Sequence, residues 1–199
     1  MDTHAEWETI HSAREWGKWP RTELNQFLTT LGAKQKFAGS KVLDLGCGNG
    51  ANLWLMGWLQ MECVGIDISE SAITKTKAWL DRMEISATLA VADMRNIPFE
   101  DNTFDVVTDV CSIQCMPTDD VAKVFKEAHR VLKPGGYVFT MFRSSSSWLE
   151  PNLPYVNRLS RPELTNAMSP FTIEATEVTE QTLFNLSVSI QHHLIVGRK

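Results

Sequence analysis

An α/β fold, with a mostly parallel sheet, helices on both faces and a C-terminal antiparallel hairpin, is the architecture this sequence predicts. Three observations carry it. Short apolar runs at Val42–Leu45, Cys63–Asp67, Ala87–Ala92, Phe104–Asp109 and Tyr137–Phe142 alternate with segments of helical period. Strands and helices alternating at that spacing imply parallel strands joined by crossover helices. After the fifth run the pattern changes to two β-branched stretches, Phe171–Val178 and Leu183–Val196, joined by a polar turn, which suits a hairpin at a sheet edge.

The elements follow in order. Residues 1–36 read as helical, with a break at Gly17 and a new helix opened by Pro20. Three tryptophans, Trp7, Trp16 and Trp19, fall within the first nineteen residues, either as staples to the core or as an aromatic lid over a ligand. Lys41–Ala51, KVLDLGCGNGA, is a strand running into glycines at 46, 48 and 50, and an apolar helix starts near Asn52. Glycine admits positive φ and leaves room for a ligand to approach the main chain. Strand, glycine turn and helix form the first half of a nucleotide-binding crossover unit.

The second strand ends in Asp67, roughly twenty residues past the first glycine, where such a unit places an acid for ribose hydroxyls. Ser69 can cap the helix that follows, whose apolar face is Ala72, Ile73, Thr76, Trp79, Leu80 and Met83. The third strand ends in Asp93-Met94. Beyond the fourth strand, Thr118 or Asp119 caps a helix with Val121, Val124, Phe125, Ala128, Val131 and Leu132 on one face, stopped by Lys133-Pro134-Gly135-Gly136. Ser144 to Pro162 reads as a loop over the site, and Pro162–Met168 as at most a short helix. One domain is expected over 1–199: a helical lid at 1–36, a cofactor-binding core at 37–143, and an acceptor-side loop with the hairpin at 144–199.

Ligands of open α/β sheets bind beyond the carboxyl ends of the strands. Gly46–Gly50, Asp67, Asp93 and Asp109–Cys115 all fall there. Glycine spacing narrows the ligand. Dinucleotide sites want the third glycine three residues after the second, whereas Gly50 follows Gly48 by two. Asp44, just upstream, would repel a pyrophosphate but suits an ammonium group.

These residues resemble the class I S-adenosylmethionine-dependent methyltransferases over about half the chain, through VLDLGCGNG, GIDIS, Ala92-Asp93, FDVVTDV and RVLKPGG. The resemblance implies a Rossmann-like sheet of seven strands and S-adenosylmethionine as cofactor. It implies that the main chain of Gly46, Cys47 and Gly48 holds the methionine portion, with Asp44 near its ammonium and Asn52 beside it. Asp67 would take the ribose hydroxyls, Ile68 would pack on adenine, Asp93 would accept from its amino group, and Met94 would flank the ring. Asp109 and Val110 would touch the methionyl end. A tryptophan–proline pair before the core, here Trp19-Pro20, is similar to that of small bacterial members and places Trp19 at the cofactor's cover. Many relatives carry a histidine near the position of Cys115, and the amino-methyltransferase signature is absent from VCSIQCMP, which disfavours exocyclic amines of DNA bases.

Gln114 and Arg143 end strands four and five on the acceptor side, with a solvated Arg143 as the alternative; Trp148 walls the pocket or covers core. His192 and His193, adjacent on the hairpin, should point one inward and one outward. Cys47, Cys63, Cys111 and Cys115 lack paired metal spacing, so no metal is expected. The charge of −5, with no basic cluster, argues against nucleic acid. No run approaches a membrane span and the leader lacks a signal-peptide core, so a reduced, cytoplasmic monomer or homodimer is expected. The expected reaction is methyl transfer to a small-molecule acceptor. Its rivals are a catalytically inactive S-adenosylmethionine-binding regulator and a nicotinamide oxidoreductase.

Overall fold

The computed structural model describes residues 3–35, 37–144, 159–183 and 188–199. The described chain runs α1 (Thr3–Ala13), α2 (Thr22–Gln35), β1 (Lys41–Leu45), α3 (Ala51–Trp58), β2 (Glu62–Asp67), α4 (Glu70–Arg82) and β3 (Ala87–Val91). It continues through β4 (Phe104–Val110), a 3₁₀ turn (Ile113–Cys115), α5 (Thr118–Val131), β5 (Leu132–Arg143), α6 (Arg161–Ala167), β6 (Thr172–Leu183) and β7 (Val188–Arg198). Seven strands form one sheet in the order β3-β2-β1-β4-β5-β7-β6. Neighbours from β3 to β5 pair in parallel, and β7 is antiparallel to both β5 and β6. Strand order reverses between β1 and β4, which opens a crevice at their carboxyl ends.

Side-chain alternation along the strands divides the core in two. On one face Leu43, Leu45, Val64, Ile66, Val107 and Val138 pack with Val121, Val124, Phe125, Ala128 and Val131 of α5 and with Leu164 of α6. On the other, Val42, Cys63, Val106, Phe139 and Met141 meet Leu24 and Leu28 of α2, Leu53 and Met56 of α3, and Leu80 of α4. Among the described residues, no helix is long and apolar enough to cross a membrane.

Three expectations are corrected in detail. Helix α2 starts at Thr22 rather than at Pro20. Helix α5 is preceded by Pro117 with no side-chain cap; Asp119 and Asp120 instead complement the positive helix start. Helix α5 does stop before Lys133, but the fifth strand, expected over Tyr137–Phe142, already opens at Leu132, because a bulge opposite Phe104/Val106 absorbs the Lys133–Gly136 stretch and Gly135 takes φ +80°. His192 and His193 are both buried, at 1% and 8% exposure. They do point to opposite faces, but both faces of β7 are covered, Leu194 packing in one core and Ile195 in the other.

Candidate functional site

The crevice at the reversal point opens into a cleft of about 890 Å³. Its floor is the bend after β1. Gly46, Gly48 and Gly50 have φ of +63°, +55° and +82°, backbone that side chains rarely adopt. The two leading glycines differ in surroundings. A Cβ on Gly46 would lie 2.5 Å from the Cβ of Ser112 and collide with its Oγ as well, so Gly46 is where two protein segments touch. A Cβ on Gly48 would meet nothing nearer than His11 Cε1 at 3.8 Å, so the main chain there faces open space. The Gly48 N–H donates to Asp67 Oδ2 at 2.9 Å, and its carbonyl accepts from Thr76 Oγ1 at 2.7 Å. Asp67 Oδ1 accepts from the Ser69 N–H at 3.0 Å, and Ser69 caps α4 by accepting from Ala72, as its position predicted.

Most of the expected ligand contacts share this cleft: Trp19, Gly46, Cys47, Gly48, Asn52, Asp67, Ile68, Asp93, Met94, Val110, Gln114 and Arg143 all line it. Asp44 and Asp109 do not; both are fully buried beneath it. Asp44 accepts from Thr108 Oγ1 at 2.8 Å and from Asn52, which does reach the cleft. Asp109 accepts from Thr140 Oγ1 at 2.6 Å and from the N–H groups of Ser112 and Ile113. Trp148 lies outside the described residues.

Burial governs the two hidden acids. It lifts Asp44 to about 7 against the opposing bonds from Thr108 and Asn52, and Asp109 to about 6. A carboxyl raised on folding holds its proton when the unfolded chain has already lost it, so stability falls as pH rises between the ordinary value of 3.8 and about 7. The melting temperature is therefore expected to drop from pH 5 to pH 7.5, and Asp44→Asn should flatten that slope. A slope identical to that of the native chain would remove Asp44 as its source.

Asp93 is held in an ion-pair chain. Arg95 donates to it from Nε and Nη2, and Arg95 Nη1 reaches Asp120 Oδ2 at 2.9 Å. Burial raises Asp93, but the Arg95 bonds outweigh it and leave the carboxyl below its ordinary value. One carboxylate keeps further lone pairs beyond those taken by Arg95.

The cover of the cleft comes from the leader. Glu8 accepts from Ser69 Oγ at 2.7 Å, from the Ser71 N–H at 3.1 Å and from Ser71 Oγ, which holds its carboxyl down at about 2. Lys75 Nζ donates to the carbonyls of His11 and Arg14 at 2.5 and 3.1 Å. Asn49 Nδ2 donates to those of Trp16 and Gly17, each at 2.9 Å. Trp7, Trp16 and Trp19 all line the cleft. Trp7 and Trp16 flank His11, with ring centroids 5.7 and 5.9 Å away, and Trp19 meets Trp54 edge-on at 5.8 Å. Sequence reasoning missed Glu8, His11, Lys75 and Arg95. The first three pair across more than sixty residues, as the 64-residue separation of Lys75 and His11 shows, so local spacing carries no trace of them. Arg95 stands two residues from Asp93, and that proximity was the available signal.

Residues 42–136 match a family described as a methyltransferase domain. The demethylmenaquinone methyltransferase of Staphylococcus epidermidis is 33% identical over 126 residues, 61% of this chain and 48% of the relative. The chain thus spans about half the length of the curated relatives it matches. Among solved structures, a SAM-dependent methyltransferase from Methanosarcina mazei superposes with a TM-score of 0.72 at 19% identity, covering 85% of this chain and 96% of that one. The magnesium protoporphyrin IX methyltransferase of Synechocystis, solved with bound SAM, gives 0.76 at 14% identity, covering 100% and 98%. At such identities the structures share the fold. The matched segment holds the glycine bend, Asp67, Asp93 and the reversal point, so the likeness to methyltransferases falls on the site itself.

Proposed function

We propose that this protein transfers a methyl group from S-adenosylmethionine to a small organic acceptor. The observation that carries the reading is the open approach to the Gly48 main chain with the Asp67 carboxylate fastened beside it, at the lip of a cleft of about 890 Å³. The residues fit the cofactor's chemistry. Asp67 offers a carboxylate for ribose, Ile68 and Met94 offer apolar walls for a base, and Asn52 connects the cleft to the buried Asp44 for an ammonium.

When bound, the sulfonium supplies an already activated methyl group. The chain then has to hold an acceptor nucleophile about 3 Å away, in line and dry. Gln114 and Arg143 stand where they can orient the acceptor, and the tryptophan-rich leader is placed to exclude water. No general base is required unless the acceptor enters protonated. The named relatives point to a small acceptor, demethylmenaquinone in the staphylococcal case.

Thermal-shift titration tests the cofactor: S-adenosylhomocysteine should stabilise the protein and NADH should not. The reverse result would overturn the proposal. Release of S-adenosylhomocysteine in the presence of small hydroxy, amino and thiol compounds then tests transfer itself. Removal of residues 1–19 is expected to weaken S-adenosylhomocysteine binding by about tenfold, ~1.4 kcal/mol, by calorimetry. Unchanged affinity and turnover would reduce the leader to a structural staple.

A further inference from the structure

The acceptor end of the cleft contains a buried cation, two of whose donors have no partner among the described residues. Arg143 closes β5 and is 8% exposed, yet its Nε and Nη1 have no hydrogen-bond partner among the described residues. Its main chain is held, because its backbone N–H donates to Gln114 Oε1 at 2.7 Å and Gln114 is itself buried. His192 is directly opposite on β7, so both side chains project to the same face of the sheet, the face on which Ile190 lines the cleft. Both ring nitrogens of His192 also lack partners among the described residues. Arg21, from the leader, lines the same cleft.

A buried guanidinium with unmatched donors is costly, and an anion that takes them restores the balance. Among the described residues, none supplies that anion to Nε or Nη1. Asp109 spends its oxygens on Thr140, Ser112 and Ile113. Burial pushes the Cys111 and Cys115 thiols up to about 12, so they stay neutral. Glu23 bears on Cys111 but makes no bond to Arg143 Nε or Nη1. Burial first, then Arg21 and Arg143, drives His192 down to about 4, leaving a neutral imidazole that can donate one hydrogen bond and accept another.

We propose that the acceptor bears a carboxylate, received by the Arg143 guanidinium and the His192 imidazole at this end of the cleft. Planar, forked donors match a carboxylate's two oxygens. The assignment deepens the methyl-transfer reading and rests on it for the carboxylate's bearer being the methyl acceptor.

The test uses the full chain saturated with S-adenosylhomocysteine, titrated calorimetrically with benzoate and phenylacetate and with the corresponding amides. At least one acid is expected to bind about tenfold tighter than its amide. That preference should vanish in Arg143→Gln and return in part in Arg143→Lys, with S-adenosylhomocysteine affinity within about twofold of native in both. The His192 ring, followed by NMR, should titrate at higher pH once the acid is bound, since the carboxylate offsets the arginine charges. Acids that bind no tighter than their amides to the native chain, or a preference that survives in Arg143→Gln, would overturn the subsite. The native comparison decides alone if Arg143→Gln does not fold. Failure of the native chain to bind S-adenosylhomocysteine would instead overturn the methyl-donor reading.

Discussion

Gly48→Val is expected to abolish S-adenosylhomocysteine binding while leaving a folded protein. The position has φ +55° and space around its missing side chain, so the substitution costs backbone strain of about 1–2 kcal/mol rather than a collision within the protein. The new methyls would occupy the space through which a ligand meets the main chain. Strain and blockage separate in Gly48→Asn, because asparagine enters the left-handed region more readily. That variant should melt near the native temperature and still fail to bind by calorimetry. Normal binding would show that no ligand approaches this bend. Gly46→Ala should behave in the opposite way, with its loss appearing as melting temperature, since its Cβ overlaps Ser112. Pairing it with Ser112→Gly should recover part of that loss.

Asp67→Ala should weaken S-adenosylhomocysteine binding by about 1–3 kcal/mol, roughly a fivefold to 150-fold loss, if the carboxylate also serves the ribose. The variant orphans the N–H groups of Gly48 and Ser69 as well, so affinity alone does not assign the ribose contact. Ribose-deoxygenated analogues do. The native protein should discriminate against 2′-deoxy and 3′-deoxy S-adenosylhomocysteine, and Asp67→Ala should not. Equal discrimination by both proteins would place the ribose elsewhere.

The ease with which parts of this molecule could be anticipated follows the range of the interactions that set them. The β1 bend, Asp67 at the end of β2 and the Ser69 cap are decided within a few residues, and their patterns are legible in the chain. The α5 face is equally plain, since Val121, Val124, Phe125, Ala128 and Val131 recur at helical spacing and all are buried. The docking of α1 depends on Glu8 reaching Ser69 and on Lys75 reaching His11, contacts that no local period encodes. Alternation placed His192 and His193 on opposite faces, but it carries no information on which faces the rest of the molecule covers. Asp44 shows the same limit: its place in β1, just before the glycine bend, suggested a ligand contact, while it is buried in the sheet beside Thr108 on the neighbouring strand.

The grip of Lys75 on the leader has an evolutionary consequence. It holds main-chain oxygens of His11 and Arg14, groups that every residue type possesses. Asn49 does likewise at Trp16 and Gly17. Substitutions along that stretch can therefore reshape the roof of the cleft without releasing it, so the shape of the roof can diversify while the glycine bend beneath it stays unchanged.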